Sequence, residues 1–350
     1  MTPRRVLLLL ILGIIVIAAA LWLASQRHLE PATLAGDAVL PGLAKTVNDV
    51  TEIHLSKGDG TRTTLKKGAT DWIVVERNYP ADSGHVRKLL LDLGALKVLE
   101  EKTRNREFYP QLGVEDSDSP KSAGTLVELV TPAKTFALIV GKPAAGKTGF
   151  VRVAHTEPSL LAQPAVNVDA DPRRWIDRSI VDIGEQRMKE AVIEPAAGAA
   201  YTAARDAPQQ TDFKVTPLPK GRELSSSSAA NEVASVFAAL QADDVRTAPA
   251  AGATTPRSAH AIFRTFNGLE LEVTGVVEGE HHFITLGARS SAKESQAEAD
   301  GINKRFQGWL IEIPAYKYQA MFRPLEDLLK KLEPPKSKAA KTSVPKPRTP

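Results

Sequence analysis

The run Val6–Ala24 constrains this chain more than any other stretch. It reads VLLLLILGIIVIAAALWLA, nineteen residues without a charge. A helix of that length rises about 28 Å, close to the hydrocarbon thickness of one bilayer. Arg4 and Arg5 precede it, and Arg27 follows with Glu30 nearby. The positive-inside bias therefore puts the N-terminus in the cytoplasm and residues 28–350 on the far side. Trp22 falls at the outer end, where an amphipathic ring suits the interface. A cleaved signal peptide is the rival reading, but its apolar region is usually ~7–15 residues and ends at a small-x-small site. The site available here, Leu23-Ala24-Ser25, opens on a large residue, and there is no cysteine to carry a lipid. The expectation is a retained single-pass anchor, with the body on the far side of the membrane.

Charge then removes one class of partner. The formal charge is +4, but residues 1–27 carry +3 and residues 334–350 carry +5, which leaves −4 on residues 28–333. A mildly acidic body with 5% aromatic residues offers neither the electrostatic footprint nor the stacking platforms of a nucleic-acid binder. The absence of cysteine removes disulfides, thiolate zinc sites and cysteine nucleophiles. A body of about 300 residues buries enough apolar surface to dispense with such staples.

Periodicity divides the chain. Residues 28–48 form a polar linker after the anchor at 1–27. Thr51–Leu55, Thr61–Leu65 and Trp72–Val75 read as strands, with Gly58-Asp59-Gly60 as a hairpin turn. Asp82 or Ser83 then caps a helix whose apolar positions, Val86, Leu89, Leu90, Leu93 and Leu96, recur every three or four residues. Val98–Thr103, Thr125–Thr131, Thr135–Val140 and Phe150–Ala154 predict four more strands, and Asp171-Pro172 opens a short helix. The pattern restarts after Met188. Ala191–Ile193, Tyr201–Ala204 and Phe213–Val215 are strands, and Val233, Val236, Phe237 and Leu240 line a helix capped from Ser225–Ser228 or Asn231. Ala261–Phe266, Leu269–Thr274 and Phe283–Leu286 follow, and Trp309–Ile313, Pro314–Met321 and Leu325–Leu329 together overlie the segment around Val166–Ile180. Residues 289–306 read as an insert, a solvated helix broken near Gly301. The expected fold is α+β: two duplicated antiparallel sheet-plus-helix units, residues 49–185 and 186–333, each sheet covered on one face, then a disordered basic Pro/Lys tail at 334–350.

Several motifs suggest chemistry. Gly141-Lys142-Pro143-Ala144-Ala145-Gly146-Lys147-Thr148 matches the phosphate-loop pattern, with Gly141, Gly146, Lys147 and Thr148 at its defining positions. That chemistry needs the loop to open a helix, whose free N–H groups converge on phosphate. Gly149-Phe150-Val151-Arg152-Val153 alternates as a strand instead, so the expectation is a hairpin. Lys147-Thr148-Gly149 and Ser290-Ser291-Ala292-Lys293 echo two boxes of penicillin-binding enzymes, but in reversed order and without the Ser-x-Asn box. His281-His282 point to opposite faces of a strand and cannot share a metal. Asp243-Asp244 and Asp116-Ser117-Asp118 suit capping or solvation. No catalytic residue, metal or cofactor is expected.

One succession of motifs carries a resemblance. Trp72-Ile73-Val74-Val75, Tyr79-Pro80-Ala81-Asp82, Val86 with Leu89-Leu90, Leu93 and Leu96, Glu101-Lys102, and Tyr109 with Leu112-Gly113-Val114 follow in order. Phe150-Val151-Arg152 comes after a strand ending in Gly141. Behind a single N-terminal anchor, this resembles the domain of unknown function 4340 family (DUF4340) over about residues 50–330. The resemblance implies a periplasmic accessory subunit of an ABC-type transport system like the gliding-motility auxiliary transporter, with permease and ATPase as partners. It supplies no catalytic or cofactor residues. An envelope-polymer binding module is the alternative, and a hydrolase or NTPase built on residues 141–149 the remote one.

Overall fold

Period-two alternation sets the first strands, and the computed structural model shows them as expected. It describes residues 36–248 and 258–331, and the chain divides into two units, one ending at Asp177 and the other beginning at Arg178. The apolar run at 6–24 and the tail at 334–350 lie outside the described residues. Among the described residues no helix is long and apolar enough to cross a membrane.

In unit 1 the strands are β1 (Glu52–Lys57), β2 (Arg62–Lys67), β3 (Trp72–Val74), β4 (Tyr79–Pro80), β5 (Lys97–Thr103), β6 (Thr125–Val130), β7 (Thr135–Pro143), β8 (Gly149–Val153) and β9 (Ser159–Gln163). They form one antiparallel sheet in the order β4-β3-β2-β1-β6-β7-β8-β9-β5. Three helices accompany it: α1 (Leu43–Thr46), α2 (Ser83–Gly94) and α3 (Tyr109–Leu112). Asp82 caps α2 by accepting from the His85 N–H at 2.9 Å. Val86, Leu89, Leu90, Leu93 and Leu96 are all buried. Asp171 caps the 3-10 turn Pro172–Arg174, which delivers Trp175 to a fully buried site where its indole N–H donates to the Asp169 carbonyl at 2.7 Å.

In unit 2 the strands are β10 (Met188–Glu194), β11 (Tyr201–Ala204), β12 (Lys214–Thr216), β13 (Asp244–Thr247), β14 (Ala259–Thr265), β15 (Leu269–Glu278), β16 (His281–Ser290) and β17 (Trp309–Glu312). Their antiparallel order is β12-β11-β10-β14-β15-β16-β17-β13. Without β4, the first sheet repeats this order strand for strand. Helices α4 (Lys293–Phe306) and α5 (Ala315–Met321) complete the unit. The architecture is α+β, dominated by the two sheets.

Four expectations need correction. Strand β9 is not predicted by the sequence pattern, because Ser-Leu-Leu-Ala-Gln does not alternate. In the sheet order β17 occupies the place of β9, so Trp309 overlies the region of Ser159 and not Val166–Ile180. The helix expected over Val233–Leu240 is a 3-10 helix, Asn231–Ser235, followed by a turn over residues 236–239. Its four apolar side chains are buried as expected, and Phe237 meets Phe263 edge-on at 4.9 Å. A left-handed Ala239, φ 47°, donating its N–H to Asp182 at 2.9 Å, stops further winding.

The third concerns residues 289–306. Arg289 and Ser290 end β16, and α4 runs unbroken through Gly301, burying Ser295, Ala299, Ile302 and Phe306. Strand β16 pairs with β17 only at Phe283 and Ile284, so α4 covers the rest of its edge. The Asn303 amide accepts from the Ala288 N–H at 2.8 Å and donates to the Ala288 carbonyl at 2.7 Å, as a neighbouring strand would. Gly301 is exposed, and a Cβ there meets nothing within 4 Å. Gly301→Ala is therefore expected to stabilise the protein by about 0.5–1 kcal/mol, seen as a higher thermal midpoint.

The fourth is that the unit 1 sheet is not covered on one face alone. Register pairs Leu126 with Ile139 and Ile139 with Arg152, which puts these residues on the face opposite Val127, Leu129 and Leu138. The chain at 109–114 folds over that second face, where Tyr109, Val114 and Ile139 make a small core with Leu112, Leu126 and Phe150 against it.

Candidate functional site

The phosphate-loop pattern falls on the β7–β8 hairpin. Gly141 and Lys142 are in β7, Gly146 takes the left-handed turn at φ 70°, and Lys147 and Thr148 lead into β8. The Ala144 N–H donates to the Thr148 carbonyl at 2.9 Å, and the Thr148 hydroxyl donates to the Ala145 carbonyl at 2.8 Å. A strand follows the loop, not a helix. Lys142 donates to the Pro110 and Gln111 carbonyls at 3.0 and 3.2 Å, satisfying the end of α3. Gly141 answers to packing, since a Cβ there lies 2.4 Å from the Leu112 carbonyl oxygen and 2.7 Å from Val114 Cγ1.

That packing joins fragments far apart in sequence. Arg152, on β8, sits beneath the 109–114 turn with a side chain only 3% exposed. Its Nε donates to the Val114 carbonyl at 2.8 Å and its Nη1 to the Thr156 carbonyl at 2.9 Å, while Nη2 pairs with Asp116. The guanidinium lies 4.8 Å from the centre of the Tyr109 ring. The Tyr109 hydroxyl in turn donates to the Glu157 carbonyl. Tyr109, the Leu112-Gly113-Val114 turn, Gly141 and Arg152 thus form one structural clasp.

The other sequence candidates are accounted for locally. Ser290 Oγ bonds Ser295 Oγ at 2.6 Å and accepts from the Ala292 N–H at 3.2 Å, securing the start of α4 at Lys293. Lys147-Thr148-Gly149 belongs to unit 1 and Ser290-Ser291-Ala292-Lys293 to unit 2. His281 pairs with Glu312 at 2.6 Å, whereas the His282 ring faces Tyr318 at 5.1 Å. Asp243 accepts from Arg178 at 2.8 Å, Asp244 lies in β13, and Asp118 is exposed. Among the described residues no three His, Asp or Glu side chains gather as metal ligands.

Two of the grooves among the described residues bear on binding, and neither is visible as a motif. The first flanks the place where the described chain begins. Gly36 donates to the Val98 carbonyl at 2.7 Å, Val98 to Asp37 at 2.8 Å and Val39 to Leu96 at 2.9 Å, so residues 36–39 are bonded to the edge of β5. Beside them lies a mainly apolar groove of about 600 Å³, lined by Val39, Pro41, Val98, Val153, Pro158 and Leu160.

The second is a polar groove of about 530 Å³ in unit 2, on the face of β15 and β16 away from the core, bounded by the end of α4 and by Trp309. Its floor carries the directly paired residues Glu272 and Gly287, then Thr274 and Thr285. Glu272 pairs with His260 at 3.2 Å and with Arg289 at 3.4 Å. The charge ladder continues along this face, where Arg264 is shared between Glu270, at 2.7 Å, and Glu190. The bond to Glu270 is the main cause that holds the Arg264 guanidinium above its usual pKa. Outward positions on alternating strands are the only sequence signal for this groove, and every half-solvated sheet gives the same signal.

The chain matches the family model described as a domain of unknown function (DUF4340) over residues 72–259, more than half its length, and belongs to that family. No curated protein and no solved structure matches it.

Proposed function

We propose that this DUF4340 protein is a non-enzymatic accessory subunit of an ABC-type transport complex resembling the gliding-motility auxiliary system. In this reading residues 6–24 anchor it in the inner membrane, N-terminus in the cytoplasm, and both sheets work in the periplasm. The observation that carries the proposal is the bonding of residues 36–39 to the edge of β5. Eleven residues, 25–35, separate that edge from the apolar stretch, and fully extended they reach about 40 Å at most. Unit 1 then works near the bilayer surface, and the apolar groove beside β5 is offered to a membrane-proximal segment of the neighbouring permease. The common strand order of the two sheets supports reading them as duplicated units, a scaffold built twice.

The test is capture of the tagged full-length protein from gently solubilised membranes, with a photo-crosslinking residue at the exposed groove position Thr156. A permease and its ATPase should co-purify in stoichiometric amounts, and the crosslink should reach the permease. Recovery of the protein alone, even after crosslinking, sinks the proposal. A second reading, an envelope-polymer binding module, is favoured by the polar groove of unit 2.

A further inference from the structure

We infer that the groove on unit 2 is a binding site for a neutral oligosaccharide, with Gly287 as the floor on which a sugar ring lies. The argument begins with a glycine that the fold does not need. Glycine weakens the middle of a strand, because it orders the most backbone freedom and offers no side chain to pack. It is usually retained there for a bulge, for a backbone conformation closed to other residues, or because something approaches closely. Strand β16 pairs with β15 without a break from Leu269↔Ser290 to Glu278↔His281, so Gly287 marks no bulge. Its φ lies outside the left-handed range, and a Cβ built on it meets nothing within 4 Å. Close approach by a ligand is the remaining reason, and Gly287 lies in the groove of about 530 Å³, a volume typical of small-molecule sites.

The groups around it set the ligand's chemistry. Glu272 stands directly opposite Gly287, and Thr274 and Thr285 are the next pair on the same face. Arg289, its side chain 74% exposed, reaches Glu272 at 3.4 Å. A carboxylate, a guanidinium and two hydroxyls offer donors and acceptors at close spacing while their charges cancel, which suits a ligand rich in hydroxyls and not a polyanion. Trp309 adds a half-buried indole at the rim, the kind of apolar surface against which the C–H face of a pyranose packs.

The inference stands apart from the transporter reading, whose test is subunit capture. It is tested by applying the full-length protein in detergent micelles to an array of glucose, N-acetylglucosamine, galactose and mannose oligomers, followed by calorimetric titration of the best binder. Saturable binding is expected. Arg289→Ala should weaken it at least about tenfold, since a charge-assisted hydrogen bond is lost. Gly287→Val should abolish it without lowering the thermal midpoint. Arg289 is exposed enough for its variant to fold whatever becomes of the valine protein. Silence across the array, binding indifferent to both substitutions, or a preference for extended peptides over every glycan overturns the assignment.

Discussion

Arg152→Leu is expected to cost about 3 kcal/mol and to loosen residues 104–124 from the sheet in unit 1. Leucine fills part of the volume but leaves the Val114 and Thr156 carbonyls, now bonded at 2.8 and 2.9 Å, without donors. Each such loss costs about 1–1.5 kcal/mol, and the cation–π contact with Tyr109 adds roughly 1 kcal/mol. A buried ion pair broken on one side costs about 3–5 kcal/mol, but Asp116 is 48% exposed and regains water, which places the effect at the lower end. Arg152→Lys should recover less than half, because an ammonium keeps the charge but cannot serve three acceptors in a planar fan. Hydrogen-exchange mass spectrometry of peptides over 104–124 reads the loosening, and urea unfolding reads the cost. Unchanged exchange there in Arg152→Leu would show that the clasp is held by its apolar contacts alone.

Why Arg152 escaped a role in the sequence shows what a sequence makes legible. Its place on an alternating strand says that it faces away from Val151 and the main core, and so it does. What covers that second face is a turn some forty residues earlier, and periodicity carries no information about so distant a partner. Where one element supplies all its own signals, the reading was good. Helix α2 has its Asp82 cap and its apolar stripe at Val86, Leu89, Leu90 and Leu93. In unit 2 the same spacing at Val233, Val236, Phe237 and Leu240 gives the buried residues but not the helix: the segment winds as 3-10 over Asn231–Ser235, and the Asp182 bond to the Ala239 N–H closes the turn that follows. Helix α4 is legible as a helix, but its packed face is not. Two of its four buried positions are Ser295 and Ala299, too small or too polar to register as a stripe. The polar groove left no motif because Gly287, Thr274 and Thr285 acquire meaning only once β15 and β16 are in register.

Gly141→Ala should be nearly as damaging as the loss of Arg152, by about 2–3 kcal/mol, and its comparison with Lys147→Ala separates two explanations of the same letters. A methyl group at Gly141 falls 2.4 Å from the Leu112 carbonyl oxygen, 2.7 Å from Val114 Cγ1 and 3.0 Å from the Gly113 carbonyl oxygen. Two of these are backbone atoms, which cannot swing aside as the end of a long side chain would. The whole 109–114 turn must lift, and overpacking of this kind costs about 1–3 kcal/mol. Lys147 is exposed on the hairpin, so Lys147→Ala should change stability by less than about 0.5 kcal/mol. A phosphate-binding loop makes the reverse demand on Lys147, which would be silent in folding and indispensable in function. Urea unfolding of both variants, alongside capture of the transporter subunits, reads the two demands separately. Equal stabilities for Gly141→Ala and the parent protein, with subunit capture lost only in Lys147→Ala, would return the hairpin to the list of functional sites. A destabilised Gly141→Ala beside an unaffected Lys147→Ala leaves the glycine as the cost of seating the Leu112-Gly113-Val114 turn on the sheet.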